Sequence, residues 1–174
     1  MEAQKELLDV QHQLIAEFDR ETASARKLLE AIPETADFNW APHEKSMKLG
    51  QLASHVSDTA GSWAAHTLKF DRLEWTPDMV MKPAANKAEL LARFDKEVAE
   101  VKPARANMTP EKWEDHWKMV AGDQTWIDDT KYNVWRTWVM NHLIHHRAQL
   151  GVYLRLLGAT IPGMYGPSAD EMPS

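Results

Sequence analysis

The sequence predicts an all-helical fold, a four-helix bundle, from three observations. Apolar residues recur at helical spacing in four long stretches of the chain. Proline-bearing segments without that periodicity separate the stretches. The chain has 174 residues, of which 44% are hydrophobic, as expected for one domain with a buried core. We therefore expect a single domain over residues 1–174.

The first three predicted helices are bounded by proline and by capping residues. The first covers about residues 4–31 and the second about 46–70, with a proline-bearing loop at 33–45 between them. The third begins at Asn86, where Asn-Lys-Ala-Glu resembles a capping box. We expect this helix to end or kink at Pro103.

A short extra helix or turn is expected between the third and fourth helices. Residues 109–111, Thr-Pro-Glu, resemble a cap followed by proline at the first helical position. Residues 120–126 resemble a small turn or hairpin. The fourth helix covers about 130–157, and Gly158 follows it at the position of a C-cap glycine.

Composition excludes several classes of site and partner. The absence of cysteine removes disulfides, thiolate ligands and a cysteine nucleophile. A formal charge of -6 without a basic cluster argues against nucleic acid as a partner. No apolar run is long enough to span a bilayer, and the polar N-terminus lacks the apolar core of a secretory signal. We therefore expect no membrane association and a cytoplasmic protein.

Tryptophan and methionine are abundant, with eight and nine residues. Core filling explains such residues most simply. An apolar pocket or an oligomer interface is the alternative, and a homodimer would use the latter.

Two histidines of the fourth helix lie one turn apart. With His142 at zero on a helical wheel, His146 falls at about +40°. Residues expected in the core fall within about 60° of His142, and Arg147 falls on the opposite side. The residues assigned to the core in this way are Trp135, Trp138, Val139, Gln149, Tyr153 and Leu156. Buried imidazoles need partners, and a divalent cation supplies one, so His142 and His146 are candidate metal ligands.

A third ligand must come from another helix, and His55 is the best candidate because it lies on the apolar face of the second helix. His66 shares that face but lies about 16.5 Å farther along the axis, too far for the same ion. The alternative is a bundle without metal, in which these histidines are hydrogen-bonded core residues. His145 is expected beside the site and not as a ligand.

The stretch NHLIHHRAQLGVYLRLLG at 141–158, followed by IPGMYGPSADE at 161–171, resembles the DinB/YfiT-like family of candidate metalloenzymes. The segment SMKLGQLASHV at 46–56 resembles the histidine segment in the second helix of that family. The resemblance covers nearly the whole chain. Ala148 is a departure, because relatives commonly have glycine there.

The resemblance implies a four-helix bundle of up-down-down-up topology, often dimeric. It implies a three-histidine metal site on His55, His142 and His146, with nickel, zinc or iron as the divalent ion. It also implies a small-molecule substrate, because characterised relatives are S-transferases and an isomerase that use low-molecular-weight thiols such as bacillithiol and mycothiol.

Two functions of different class remain at this stage. In the first, the protein is a metal-dependent enzyme, a small-thiol-dependent S-transferase or isomerase, in which Gln149 and Tyr153 could orient substrate. In the second, it is a non-catalytic metal-binding stress protein whose ion only ties the second helix to the fourth. The catalytic residues are not identified by the sequence.

Overall fold

The computed structural model describes residues 2–80 and 82–173, with side chains from Val10 onward, so the predicted domain span of 1–174 exceeds it at both ends. The chain is mostly helical. Its helices are α1 (Glu2–Glu30), α2 (Leu49–Asp58), α3 (Ala64–Lys69), α4 (Lys87–Ala106), α5 (Pro110–Glu114), α6 (Lys131–Val134) and α7 (His142–Leu156). The π-helical segments Thr59–Trp63 and Trp135–Asn141 join α2 to α3 and α6 to α7.

Four long helical runs result, at 2–30, 49–69, 87–106 and 131–156. Helix α2 packs against α4 and α7, and α1 packs against the same two helices. Most buried apolar side chains lie between these runs, among them Leu29, Leu52 and Leu150. The apolar face that each run shows in the sequence is therefore buried against its neighbours.

Local signals set the helix ends. The Asn86 side chain accepts a hydrogen bond from the Glu89 backbone N–H, as the predicted cap requires. Thr109 caps α5 through the Lys112 N–H. Gly158 has φ +73°, and Ala159 N–H donates to the Leu154 carbonyl, which is a Schellman arrangement.

The start of α2 and the end of α4 differ from the predicted helix boundaries. Helix α2 begins at Leu49 and not at residue 46, because the carbonyls of Trp40 and Phe38 accept the N–H groups of Leu49 and Gly50. Helix α4 continues past Pro103 to Ala106, so this exposed proline does not end the helix.

The all-helical prediction is incomplete, because the described chain contains a three-stranded sheet. Strand β1 (Arg72–Glu74) pairs in parallel with β2 (His116–Ala121), which pairs antiparallel with β3 (Gln124–Thr130). The predicted small hairpin is thus longer than expected, with Gly122 at φ +55° in its turn. Trp117, Ile127 and Val134 pack beneath the sheet and attach it to the start of the last helical run.

The described helices include none that is both long and apolar enough to cross a membrane.

Candidate metal centre

Three histidines from two helices come together. His55 lies on α2, while His142 is the first residue of α7 and His146 lies one turn farther on. Helices α2 and α7 pack against each other, which brings the rings to one place. The ring centroids of His55 lie 4.9 Å from His142 and 4.4 Å from His146, and the last two are 4.6 Å apart.

The spacing of the ring nitrogens suits one cation. Each histidine offers one nitrogen, and the three nitrogens lie within 4.8 Å of one another. The Nε2 atoms of His55 and His142 are 3.1 Å apart. Two nitrogens that bind a tetrahedral ion at ~2.0–2.1 Å would be about 3.3 Å apart, so small ring movements would suffice. The group could hold a metal ion.

The tautomer of a ligand ring is determined by the hydrogen bond of the nitrogen that does not face the ion, and His146 has such a bond. His146 Nδ1 lies 2.8 Å from Gln149 Oε1, and because an amide oxygen only accepts, Nδ1 carries the proton. His146 Nε2 is therefore left with a free lone pair, as a ligand requires. The buried Nδ1 of His142 makes no hydrogen bond of regular geometry.

The histidines favour the neutral form. Burial lowers the pKa of His55 to about 4, and the nearby rings of His146 and His142 add to this effect. Burial also lowers the pKa of His142, with a contribution from His146, while the Trp138 backbone carbonyl acts in the opposite direction. The pKa of His146 is lowered mainly by burial and raised partly by Gln149. Neutral imidazole is the form that binds a metal.

Two π-helical segments flank the group and contact each other. Segment Thr59–Trp63 follows the helix of His55, and segment Trp135–Asn141 immediately precedes His142. The indole N–H of Trp63 donates to the Trp138 carbonyl at 2.9 Å and links the two segments. Such segments are rare, and they occur frequently at functional sites.

The helical wheel misplaced the core side of the last helix. The buried line of α7 is Leu143, Arg147, Leu150 and Leu154, centred about 110° from His142. His142 and His146 are therefore half-buried at the flank of the core and not at its centre. The burial of four side chains is the reverse of the prediction. Arg147 is buried, whereas Trp138, Gln149 and Leu156, which were predicted to lie in the core, are exposed.

The remaining histidines lie outside the group, as expected. His145 is exposed, with its ring 4.8 Å from that of His146. His12, His43 and His116 are exposed. His66 lies farther along the helical run that carries His55.

The two predicted substrate-orienting residues have other partners. Gln149 holds His146, as described above. The Tyr153 hydroxyl donates to the Met47 carbonyl at 3.2 Å, and its ring packs edge-on against Trp40. Both side chains are therefore bound to other residues of the protein, and of the two only Gln149 contacts a candidate metal ligand.

An open cleft of about 850 Å³ adjoins the group and is lined by both His55 and His142. Its floor is the helical run 49–69, and its opposite wall is formed by the sheet together with Trp75, Met79, Val80 and Pro83. Four of the eight tryptophans line it, which favours the apolar-pocket interpretation of this composition for those residues: Trp63, Trp75, Trp126 and Trp138.

Asp58 is a candidate functional residue that the sequence reasoning missed. It lines the cleft one turn after His55 and lies 2.6 Å from Arg93 Nη2. Burial raises the pKa of Asp58 to about 7 against the opposing charge of Arg93, and Glu97 adds to the rise. The i, i+3 spacing of a histidine and an aspartate on one helix face could have revealed it.

Comparisons with known proteins give one family. A model of the DinB family matches residues 3–173. A crystal structure of a DinB-like protein from Bacillus cereus has a TM-score of 0.68 and 19% identity, with 87% of this chain and 95% of that chain covered. A crystal structure of a DinB-like protein from Bacillus subtilis, YjoA, has a TM-score of 0.67 and 20% identity, with 90% of this chain and 99% of that chain covered. These likenesses support the fold alone. No curated protein matches the chain.

Proposed function

Because this chain belongs to the DinB family, we propose that His55, His142 and His146 bind one divalent metal ion and that the protein is a metal-dependent enzyme. The proposed reaction joins a low-molecular-weight thiol to an electrophilic small molecule. One observation carries the proposal: three neutral histidines form a group that contains no carboxylate, and two of them, His55 and His142, line a large cleft.

The donor set fits a borderline divalent ion. Imidazole nitrogen suits zinc, nickel and iron(II) alike, and neutral rings need no deprotonation before they bind. Three protein ligands leave at least one coordination position for a thiol, water or substrate. When bound, such an ion acts as a Lewis acid and lowers the pKa of a coordinated thiol.

Asp58 would accept the proton. Its pKa of about 7 is close to that expected of a general base working near neutrality. The thiol S–H proton would pass to the carboxylate, directly or through one water. The thiolate sulfur would then form a bond to the electrophilic carbon while the bond from that carbon to its leaving group breaks, and the leaving group takes the electron pair. An epoxide oxygen would take up the proton from Asp58, whereas a halide would leave as the anion and Asp58 would return its proton to water.

The test uses protein purified without an affinity tag and loaded with one equivalent of zinc, nickel or iron(II). We expect turnover of small thiols with halogenated or epoxide electrophiles by at least one metal form. His142→Ala should abolish turnover, whereas His145→Ala, next to a ligand but outside the group, should retain it. Asp58→Asn should lower kcat with little change in bound metal. Turnover that survives His142→Ala would overturn metal catalysis.

A second candidate is a non-catalytic metal-binding stress protein. It is favoured by the ligand positions, because an ion bound by His55 and His142 would tie α2 to α7. Binding energy would then appear as folding stability. A large rise in melting temperature with metal, with no activity on any thiol, would support this function.

The assembly is also part of the proposal. We expect the four helical runs to form a bundle of up-down-down-up order and two copies to form a homodimer. Val152 and Leu156, each 61% exposed on α7, offer an apolar surface for the second copy. Light scattering after size exclusion tests the dimer, and a monomer at micromolar concentration would contradict it.

A further inference from the structure

The floor and the opposite wall of the cleft differ in chemistry. Polar side chains follow one another along the floor at helical spacing, namely His55, Asp58, Ser62 and His66. The opposite wall is apolar, and its largest side chains are Trp75, Met79, Met119 and Trp126. A ligand in this cleft therefore meets a polar edge on one side and aromatic rings and thioethers on the other.

Neighbouring contacts hold the tryptophans in place. The rings of Trp75 and Trp126 lie 5.2 Å apart at 41°. Trp126 Nε1 donates to the Gln124 side chain at 3.3 Å, and Trp63 Nε1 donates to the Trp138 carbonyl. Because these indole N–H groups already have partners, the rings offer mainly apolar contact to a ligand.

Much of this wall is accessible to water. Trp126 is 48% exposed, Met79 45% and Val80 71%, although all three line one cleft. Clustered exposed apolar side chains of this size are typical of binding sites. Methionine side chains adapt to irregular ligands and make favourable contacts with aromatic rings.

The charges of the cleft select against anions. The described lining residues include no lysine and no arginine. They include the carboxyl group of Asp58, which Arg93 already pairs. A phosphate or sulfonate group placed here would lose hydration without gaining a cationic side chain.

We propose that this cleft binds an uncharged aromatic molecule of a few fused or linked rings, packed between the tryptophan wall and the helical floor. Its reactive end would lie at the His55 end of the cleft. Its role as the electrophilic substrate rests on the proposed function, whereas its binding does not.

Two probes with the same ring system test the inference on metal-free protein. N-phenyl-1-naphthylamine is uncharged, and 8-anilino-1-naphthalenesulfonate adds one sulfonate to the same frame. In fluorescence titrations of the chelator-treated protein, we expect one saturable site for the uncharged probe. We expect the sulfonated probe to bind at least about tenfold more weakly. Equal affinity for the two probes would overturn the proposed preference.

Variants of the wall locate the site. Trp126→Ala should weaken binding of the uncharged probe about tenfold, because a ring contact and its buried area are lost. Met79→Ala should weaken it less. Met172→Ala, which removes an exposed methionine outside the cleft lining, should leave the affinity unchanged. All these side chains are exposed, so the variants should fold, and circular dichroism checks this.

The outcomes separate this inference from the proposed function. Probe binding that is insensitive to Trp126→Ala and Met79→Ala overturns the inference even if zinc binds. Zinc binding that fails while the probe binds as expected overturns the metal proposal and leaves this inference standing.

Discussion

Two polar clusters meet at successive residues of α7 and differ in how their charges are balanced. His146 faces two other histidines, and no carboxylate belongs to that group. Arg147, the next residue, is buried and pairs with Glu21 at 2.6 Å. It also donates to the Glu21 carbonyl and to the Tyr165 hydroxyl, which donates to Glu21 Oε2.

The comparison separates a stabilising cluster from a binding cluster. The Arg147 cluster is closed at its ion pair, because Arg147 and Glu21 are both buried and their opposite charges match. The histidine cluster adjoins the cleft through His55 and His142, and the group contains no carboxylate that could pair with its nitrogens. We infer that the Arg147 cluster attaches the C-terminal segment to the helices and that the histidine cluster is a cation-binding site.

The largest expected effect concerns the closed cluster. Arg147→Met leaves the buried Glu21 carboxylate without its partner and should lower the free energy of unfolding by about 3–5 kcal/mol. Urea denaturation measures the change. Arg155→Met is the matched control, since its pair with Asp170 is exposed and should cost less than about 1 kcal/mol. Similar losses in both variants would contradict the assigned role of the closed cluster.

The next effect concerns the histidine cluster. His142→Ala should weaken zinc binding by at least about 100-fold, because one of three ligands is lost. The stability of the metal-free protein should change far less than in Arg147→Met. Isothermal titration calorimetry gives the affinity. An unchanged affinity in His142→Ala, or a comparable loss in His145→Ala, would show that the ion binds elsewhere.

A third prediction uses pH and sharpens the difference in charge balance. An unfolded histidine takes its proton near pH 6.5, whereas the pKa of folded His55 is about 4. The unfolded state then binds more protons between these values, so His55 makes the fold less stable as the pH falls from 6.5 to about 4.

Asp58 acts in the opposite direction over an overlapping range, because its pKa is raised to about 7. Its folded form binds the extra proton, and stability from this group falls as the pH rises from about 4 to 7. Because Asp58 is present in both wild type and His55→Asn, its contribution cancels when the two proteins are compared. On acidification from pH 7 to 4.5, metal-free wild type should lose roughly 1–2 kcal/mol more than the variant. Urea denaturation at both pH values measures the two losses, and an equal loss in wild type and variant would contradict the prediction.

The smallest expected effect concerns the support of a ligand. Gln149→Leu removes the acceptor of His146 Nδ1–H and should weaken zinc binding about tenfold. Gln149→Glu keeps an acceptor and should bind zinc at least as well as wild type. Calorimetry on the two variants decides, and a Gln149→Leu affinity equal to that of wild type would mean that the contact does not orient the ligand.

The local parts of the fold were predictable from the sequence. Helical periodicity, the Asn86 and Thr109 caps and Gly158 depend on short-range interactions, and the structure confirms them. The i, i+4 spacing places His142 and His146 side by side in any helix. His55 was harder, because a distant helix must dock correctly. Its place on the apolar face of the second helix made it the best candidate, and the family resemblance implied the same residue.

The features that were missed depend on long-range contacts. Strand β1 has three residues and pairs with β2 more than 40 positions away, so no local pattern marks it. The wheel failed because the last helical run is apolar on two sides, one toward the core and one toward the cleft, as Leu150 and Trp138 illustrate. The partner of Arg147, Glu21, is 126 residues away in sequence, so its burial could not be anticipated.

The most direct measurement of the central claim is a zinc titration followed by NMR of the imidazole nitrogens in uniformly 15N-labelled, metal-free protein. With one equivalent of zinc, one nitrogen each of His55, His142 and His146 should change resonance together, and the other five of the eight histidines should not. Changes confined to His145 and His146, or changes that continue beyond one equivalent with His55 unaffected, would contradict the three-histidine site.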